Sequence, residues 1–178
     1  LVGLAQALLR WGPTPAAGYS VSAARYPDEP AIVDELGTLT FKEVHRRTNA
    51  LAHALSDAGL GEGDTVGLMA RNHRGFVDAL VACSKLGCDV LFLNTAFSGP
   101  QLTDVAKREK PKAVIYDQEF AEVLKDASAR RKRYVAWSEG KTKDPKLEDL
   151  IARGDTASRG APSQQVRAII LTSGTRGT

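Results

Sequence analysis

The stretch Thr65 to Leu93, TVGLMARNHRGFVDALVACSKLGCDVLFL, decides the fold class. Val66, Leu68 and Ala70 alternate with other residues as in a half-buried strand. Phe76, Val77, Leu80, Val81 and Leu86 then fall at helical spacing, and Gly87 stands where such a helix would end. Val90 to Leu93 is an unbroken apolar run, the mark of a strand covered on both faces. A strand, a helix and a second strand joined this closely form a parallel crossover unit.

The same alternation continues on both sides. Upstream, Ala31 to Asp34 and Thr38 to Thr40 flank Glu35-Leu36-Gly37 and read as a short hairpin. Thr40 and Glu43 form a capping-box pattern, with Leu39 and Val44 as its hydrophobic staple. Val44, Leu51, Ala52 and Leu55 give the helix its apolar stripe, Gly59 is placed to end it, and Gly61-Glu62-Gly63-Asp64 is a turn. Downstream, Ser98 and Gln101 repeat the capping box ahead of Leu102, Val105 and Ala106. Lys112 to Asp117 reads as a strand, Phe120, Val123 and Leu124 as a helix, and Tyr134 to Trp137 as a strand. Leu147, Leu150 and Ile151 suggest one more helical turn. Gly154 to Gln165 is a long surface loop, after which Val166 to Leu171 is a strand. The expected fold is α/β, a doubly wound, mostly parallel sheet with flanking helices and right-handed crossovers.

Composition narrows the class further. The chain has 178 residues, 43% hydrophobic and 25% charged, with 16 Gly and 8 Pro, which excludes collagen, a disordered tail and a disulfide scaffold. Cys83 and Cys88 lack the companion ligands of a zinc site and read as buried apolar residues in a reducing compartment. His45 and His53 lie two turns apart, too far to share a metal, and read as surface or rim residues. Net charge is +3, too mild to demand nucleic acid. The excess gathers between Lys125 and Lys146, where eight basic and three acidic residues read as a solvated loop and strand edge. No apolar run approaches the ~20 residues of a membrane span. Leu1 to Arg10 has no signal-peptide character, so a cytoplasmic protein is expected, with Leu1 to Leu9 a packed helix or a peripheral membrane contact.

Ligands of open α/β sheets gather beyond the carboxyl ends of the strands. The last strand runs straight into Thr172-Ser173-Gly174-Thr175-Arg176-Gly177-Thr178. Glycines let backbone N–H groups approach an anion, hydroxyls add neutral donors, and Arg176 adds a charged one. On composition alone this is a phosphate loop or an ordinary flexible loop. No Walker A motif occurs, and Gly59-x-Gly61-x-Gly63 has the wrong spacing for a dinucleotide fingerprint.

The segment Leu171 to Thr178 resembles the start of the signature loop of the adenylate-forming synthetases, which join acyl-CoA synthetases, luciferases and the adenylation domains of nonribosomal peptide synthetases. Thr172, Ser173, Gly174, Thr175 and Gly177 match that pattern, and Arg176 stands where Thr or Ser is usual. Thr40-Phe41-Lys42-Glu43, Gly59 to Val66, Arg71-Asn72-His73, Lys85-Leu86-Gly87-Cys88, Leu93-Asn94-Thr95 and Pro111 to Ile115 are similar to the family's opening in order and spacing. Within the family, Leu93-Asn94-Thr95 and the helix after Ser98 most resemble bacterial long-chain fatty-acid–CoA ligases.

The resemblance implies ATP-dependent activation of a fatty acid to an acyl-adenylate, then thioester formation with coenzyme A. ATP, Mg²⁺ and CoA are the implied cofactor and co-substrates, and Thr172 to Thr178 the implied phosphate-binding residues. It also implies a piece of a larger N-terminal domain, with residues 1–29 an extension and lead-in and 30–178 the α/β portion. Catalytic residues are then expected beyond residue 178, and the fragment alone is expected to be inactive. Adenylation of an amino or aryl acid, with carrier-protein loading, and a non-catalytic nucleotide-binding module of the same fold are the alternatives.

Overall fold

A computed structural model describes residues 12–163 and 166–171 of the chain. Helix α1 (Pro15–Arg25) comes first, then strand β1 (Pro30–Asp34), strand β2 (Gly37–Thr40) and helix α2 (Phe41–Asp57). β3 (Thr65–Met69), α3 (Arg74–Leu86), β4 (Asp89–Phe92), α4 (Gly99–Glu109) and β5 (Ala113–Asp117) follow in strict alternation. β6 (Lys132–Trp137), α5 (Leu147–Arg153) and β7 (Ala168–Ile170) complete the order.

β1 and β2 pair antiparallel as the expected hairpin, with Gly37 at φ 102° in the turn. The other five strands form one sheet in the order β6-β5-β3-β4-β7, and all of its pairings are parallel. The chain leaves β3 for β4 on one side and returns to β5 on the other. The point where its path reverses therefore lies between β3 and β5.

The local signals act as the sequence implies. Thr40 Oγ1 accepts the Glu43 N–H at 3.3 Å while Glu43 Oε2 accepts the Thr40 N–H at 2.7 Å, so α2 begins there. Ser98 N–H donates to Gln101 Oε1 at 2.9 Å at the start of α4. Gly87 closes α3 in the left-handed region at φ 78°, where a Cβ would also stand 2.6 Å from the Glu62 side chain and 2.8 Å from Pro162.

Each face of the sheet has its own apolar layer. On one face Leu51, Leu55, Ala79, Cys83 and Leu147 from the helices meet Val66, Leu68, Ile115 and Tyr134. On the other, Leu102, Val105, Phe120 and Leu124 meet Met69, Leu91, Val114 and Tyr116. Cys83 and Cys88 are buried free thiols, as expected, and Cys88 donates weakly to the Gly61 carbonyl.

Several sequence expectations need correction. β3 is not half-buried: Val66 to Met69 are all buried, because β3 is the central strand and Gly67 packs against Leu93 and Val114. Phe120, Val123 and Leu124 do not lie on an α-helix. Gln118–Phe120 is a single 3₁₀ turn, followed by turns that mix three- and four-residue hydrogen bonds up to Arg131. The basic stretch is only partly a solvated edge. Arg131 donates to the carbonyls of Pro111, Ala127 and Ala106, and Arg133 bridges Asp144, Ser128 and Tyr116. Helix α1, within the expected lead-in, packs on the sheet domain through buried Ala16 and Ala17, and the Ala16 N–H donates to Ser84 Oγ.

Polar groups lock α2 to α3. Asp78, fully buried, accepts from Nε and Nη2 of Arg47, which also holds Glu148 of α5. Burial raises the Asp78 carboxyl to about 6 against the pull of Arg47. A carboxyl raised in the fold favours folding fully below its ordinary pKa and loses that contribution as pH rises through the folded value. Arg47→Met, which strands Asp78, is expected to cost about 3–5 kcal/mol at pH 8 and clearly less at pH 5, where Asp78 takes up a proton. Urea unfolding at the two pH values measures it, and equal losses would contradict the pairing.

Candidate functional site

Every strand of the parallel sheet ends at the same edge, so that edge gathers the loops able to carry chemistry. The expected phosphate loop, Thr172 to Thr178, lies outside the described residues. The described structure contains the strand that leads into it. β7 pairs with β4 at the border of the sheet, with Val90 opposite Ala168 and Phe92 opposite Ile170. Beyond β4, Asn94 Oδ1 accepts the Ala96 N–H at 2.9 Å and folds Leu93-Asn94-Thr95 into a tight turn before α4.

The register of β7 is fixed at its start. Asp89, 6% exposed, accepts the Arg167 backbone N–H at 2.8 Å, Nε at 2.9 Å and Nη2 at 2.6 Å. The Val90 N–H donates in turn to the Arg167 carbonyl at 2.9 Å. Four residues before Arg167, Ser163 is tied to Glu62 through both its N–H and its hydroxyl. A three-residue edge strand has few ladder bonds, so these side-chain contacts decide where it sits.

A cleft of about 660 Å³ opens at the β3/β5 reversal. Its walls are the segments after β3, β5 and β6, with the β1–β2 turn closing the fourth side. His73 caps α3: its Nδ1 accepts the Gly75 N–H at 3.1 Å, which assigns the ring proton to Nε2, 3.0 Å from Asp117 Oδ1. Asp117 Oδ2 accepts the Arg71 N–H at 2.6 Å, and Trp137 packs on the His73 ring with centroids 4.7 Å apart. Both nitrogens of His73 are thus engaged, which leaves neither for proton transfer. Two further ion pairs stand in or beside the cleft, whose lining also includes Glu35, Glu139 and Lys141. Arg71 forks onto Glu119, and Arg74 onto Asp34, whose carboxyl the guanidinium holds down to about 2. Among the described residues no three His, Cys, Asp or Glu side chains converge as a metal-ligand set.

The sequence reading singled out Arg71-Asn72-His73 and Leu93-Asn94-Thr95 only as parts of a resemblance. The fold places the first at the cleft after β3 and the second after the neighbouring strand β4, beside β7. It missed the His73–Asp117 pair, for which a polar residue just ahead of a helix was the available signal. His45 and His53 lie on α2 as read, away from both places.

An open parallel sheet with its loops at the carboxyl edge defines a ligand-binding α/β class. The chain belongs to the AMP-binding enzyme family, whose pattern matches residues 19–178. It is 29% identical over 110 residues to the fatty acid–[acyl-carrier-protein] ligase ScoC of Streptomyces coeruleorubidus, covering 62% of this chain and 21% of that protein. It is 30% identical over 133 residues to a feruloyl-CoA synthase of an Amycolatopsis species, covering 74% of this chain and 27% of that one. The fold superimposes on the crystal structure of the anthranilate CoA ligase AuaEII in complex with anthranoyl-AMP, at TM-score 0.81 and 20% identity, over 92% of this chain and 33% of that one. The chain thus spans about a fifth to a third of the length of these proteins. No described helix is long and apolar enough to cross a membrane.

Loosening Asp89 tests the anchoring of β7. Asp89→Ala is expected to raise amide hydrogen exchange at Ile169 about tenfold or more while amides of β3 and β5 keep their protection. Unchanged exchange in β7 would assign its register to the ladder bonds alone.

Proposed function

We propose that the chain is the N-terminal, phosphate-binding part of an ATP-dependent acid–thiol ligase that activates a fatty acid. The carboxylate attacks the α-phosphorus of ATP, pyrophosphate leaves, and the thiol of coenzyme A then displaces AMP from the acyl-adenylate. The observation that supports this reading most directly is the placement of β7. A parallel strand, pinned by Asp89, leads straight into Thr172 to Thr178 at the sheet edge where ligands of such folds gather.

In this reading the task of the loop is charge placement, not covalent chemistry. Thr172, Ser173 and Thr175 donate hydroxyls to the β- and γ-phosphates. Gly174 and Gly177 bring backbone N–H groups close, Arg176 adds a cation, and Thr178 continues the segment. Donors fixed before the reaction stabilise charge as it develops on the departing pyrophosphate. Mg²⁺ supplies further charge neutralisation when bound; its ligands belong to residues outside those described.

Activation of an aryl acid is the second reading. It is favoured by the feruloyl-CoA synthase, which shares 30% identity over a longer stretch of this chain than the acyl-carrier-protein ligase does.

Carboxylate-dependent ATP–pyrophosphate exchange by the full-length gene product tests both. Exchange stimulated by fatty acids is the expected result, and stimulation by aryl acids would keep the mechanism and change the substrate. No exchange with any acid, from folded protein, would overturn the proposal. Thr175→Ala is expected to lower exchange by about ten- to a hundredfold through loss of one phosphate donor, and an unchanged rate would remove Thr175 from the site. The 178 residues alone are expected to form no acyl-CoA.

A further inference from the structure

The segment Thr156 to Arg159, between α5 and β7, lies along α2 and is held there by side chains of that helix. Asn49 Nδ2 donates to the Thr156 carbonyl at 3.0 Å. His53 Nε2 lies 3.1 Å from the Ala157 carbonyl, and Arg159 Nη2 donates to Ser56 Oγ at 3.3 Å. His45 Nε2 faces Ser158 Oγ at 3.5 Å, the long end of hydrogen-bond range. Just ahead of the segment, Gly154 sits so close to α2 that a Cβ would stand 2.4 Å from the Ala50 carbonyl oxygen.

The two histidines share one arrangement. Each turns Nε2 toward the segment and Nδ1 toward a basic side chain, Arg159 of the segment itself for His53 and Lys85 of α3 for His45. Arg159 Nη1 lies 3.2 Å from His53 Nδ1, and Lys85 Nζ lies 3.5 Å from His45 Nδ1. Only a neutral ring with its proton on Nε2 serves both sides, since it donates to the segment and accepts from the cation. A second proton on Nδ1 removes the acceptor and sets two cations against each other.

We propose that Thr156 to Arg159 is an acid-released clasp on α2, closed while the His45 ring is neutral and opened as it takes up a proton. No carboxylate bonds either ring among the described residues. Asp78 of α3 is committed to Arg47, and Arg47 to Glu148 of α5 as well. Tyr19 of α1 lies near Asp78, and on the segment's own side Asp155 accepts the Ala157 N–H. Lys85, 3% exposed, donates to Thr48 Oγ1 at 2.7 Å, Asn49 Oδ1 at 2.6 Å and the His45 carbonyl, all uncharged groups. It thus ties the same Asn49 that holds Thr156.

The energetics point the same way. Burial, with Lys85 alongside, pushes His45 down to about 4, and burial pushes Lys85 down to about 7. A base whose pKa is depressed in the closed form destabilises that form as pH falls from its ordinary value to the depressed one. For His45 the window runs from about 6.5 down to 4, which disfavours closure in acid. Opening that exposes His45 is expected to raise the open population on the order of tenfold between pH 7 and pH 5.

Nitrogen-resolved NMR of the 178-residue chain tests this from pH 8 to pH 5. At pH 8 the His45 ring is expected in the Nε2–H form. On acidification the backbone amides of 156–159 should move toward flexible-chain positions with the His45 midpoint, while amides of β3 stay fixed. His45→Gln keeps a donor at that site without titration, and its segment is expected to stay closed to pH 5. Should that variant not fold, Ser158→Ala, which removes the His45 contact from the segment's side, is expected to be looser at pH 8 and less pH-dependent than the parent. Amides of 156–159 that ignore the titrating His45 ring, or variants that open in acid as the parent does, would overturn the clasp.

Discussion

An all-parallel sheet must be covered on both faces, and that constraint fixes most of this structure. β3 stands at its centre, with Val66 and Leu68 turned into one apolar layer and Gly67 and Met69 into the other. Two-sided burial forces a helix or its equivalent between successive strands, and each such crossover returns the chain to the same end of the sheet. The segments after β3, β4, β5 and β6 therefore share one edge. Function in this fold is a matter of which loop at that edge carries donors.

Two places on the edge differ in chemistry. In the β3/β5 cleft three carboxylates are held internally: Asp117 by His73 and the Arg71 N–H, Asp34 by Arg74, Glu119 by Arg71. The other border carries a short strand held by Asp89 and followed by hydroxyls and glycines. Matched charge builds a wall, whereas hydroxyls, glycine N–H groups and one arginine suit an anionic phosphate. The segment that feeds this strand is held to α2 by His45, Asn49, His53 and Ser56, which links the border to the polar interior around Lys85.

Legibility in the sequence followed the range of each interaction. Capping at Thr40 and Ser98 and the end of α3 at Gly87 are local, involve residues within a turn of each other, and could be read directly. The burial of β3 could not, because Gly67 carries no side chain to reveal its apolar second face. Phe120 to Leu124 had helical spacing but folds as successive turns, so spacing over five residues did not discriminate. Nothing local marks Lys85 as buried, because its partners Thr48 and Asn49 come from α2 across the interface. Strand order, and with it the cleft, depends on contacts distant in sequence that no periodicity reports. The candidate phosphate loop was legible as a motif alone, and the fold adds the strand that presents it.

The central claim is that ATP phosphates meet the loop after β7. Photocrosslinking of the full-length protein with ATP carrying a photoreactive group on its γ-phosphate, followed by mass spectrometry of tryptic peptides, addresses it directly. The account predicts label in the peptide spanning 168–176, displaced by unlabelled ATP and by pyrophosphate. Displaceable label confined to the Arg71–Glu119 cleft, with the 168–176 peptide unmodified, would contradict it.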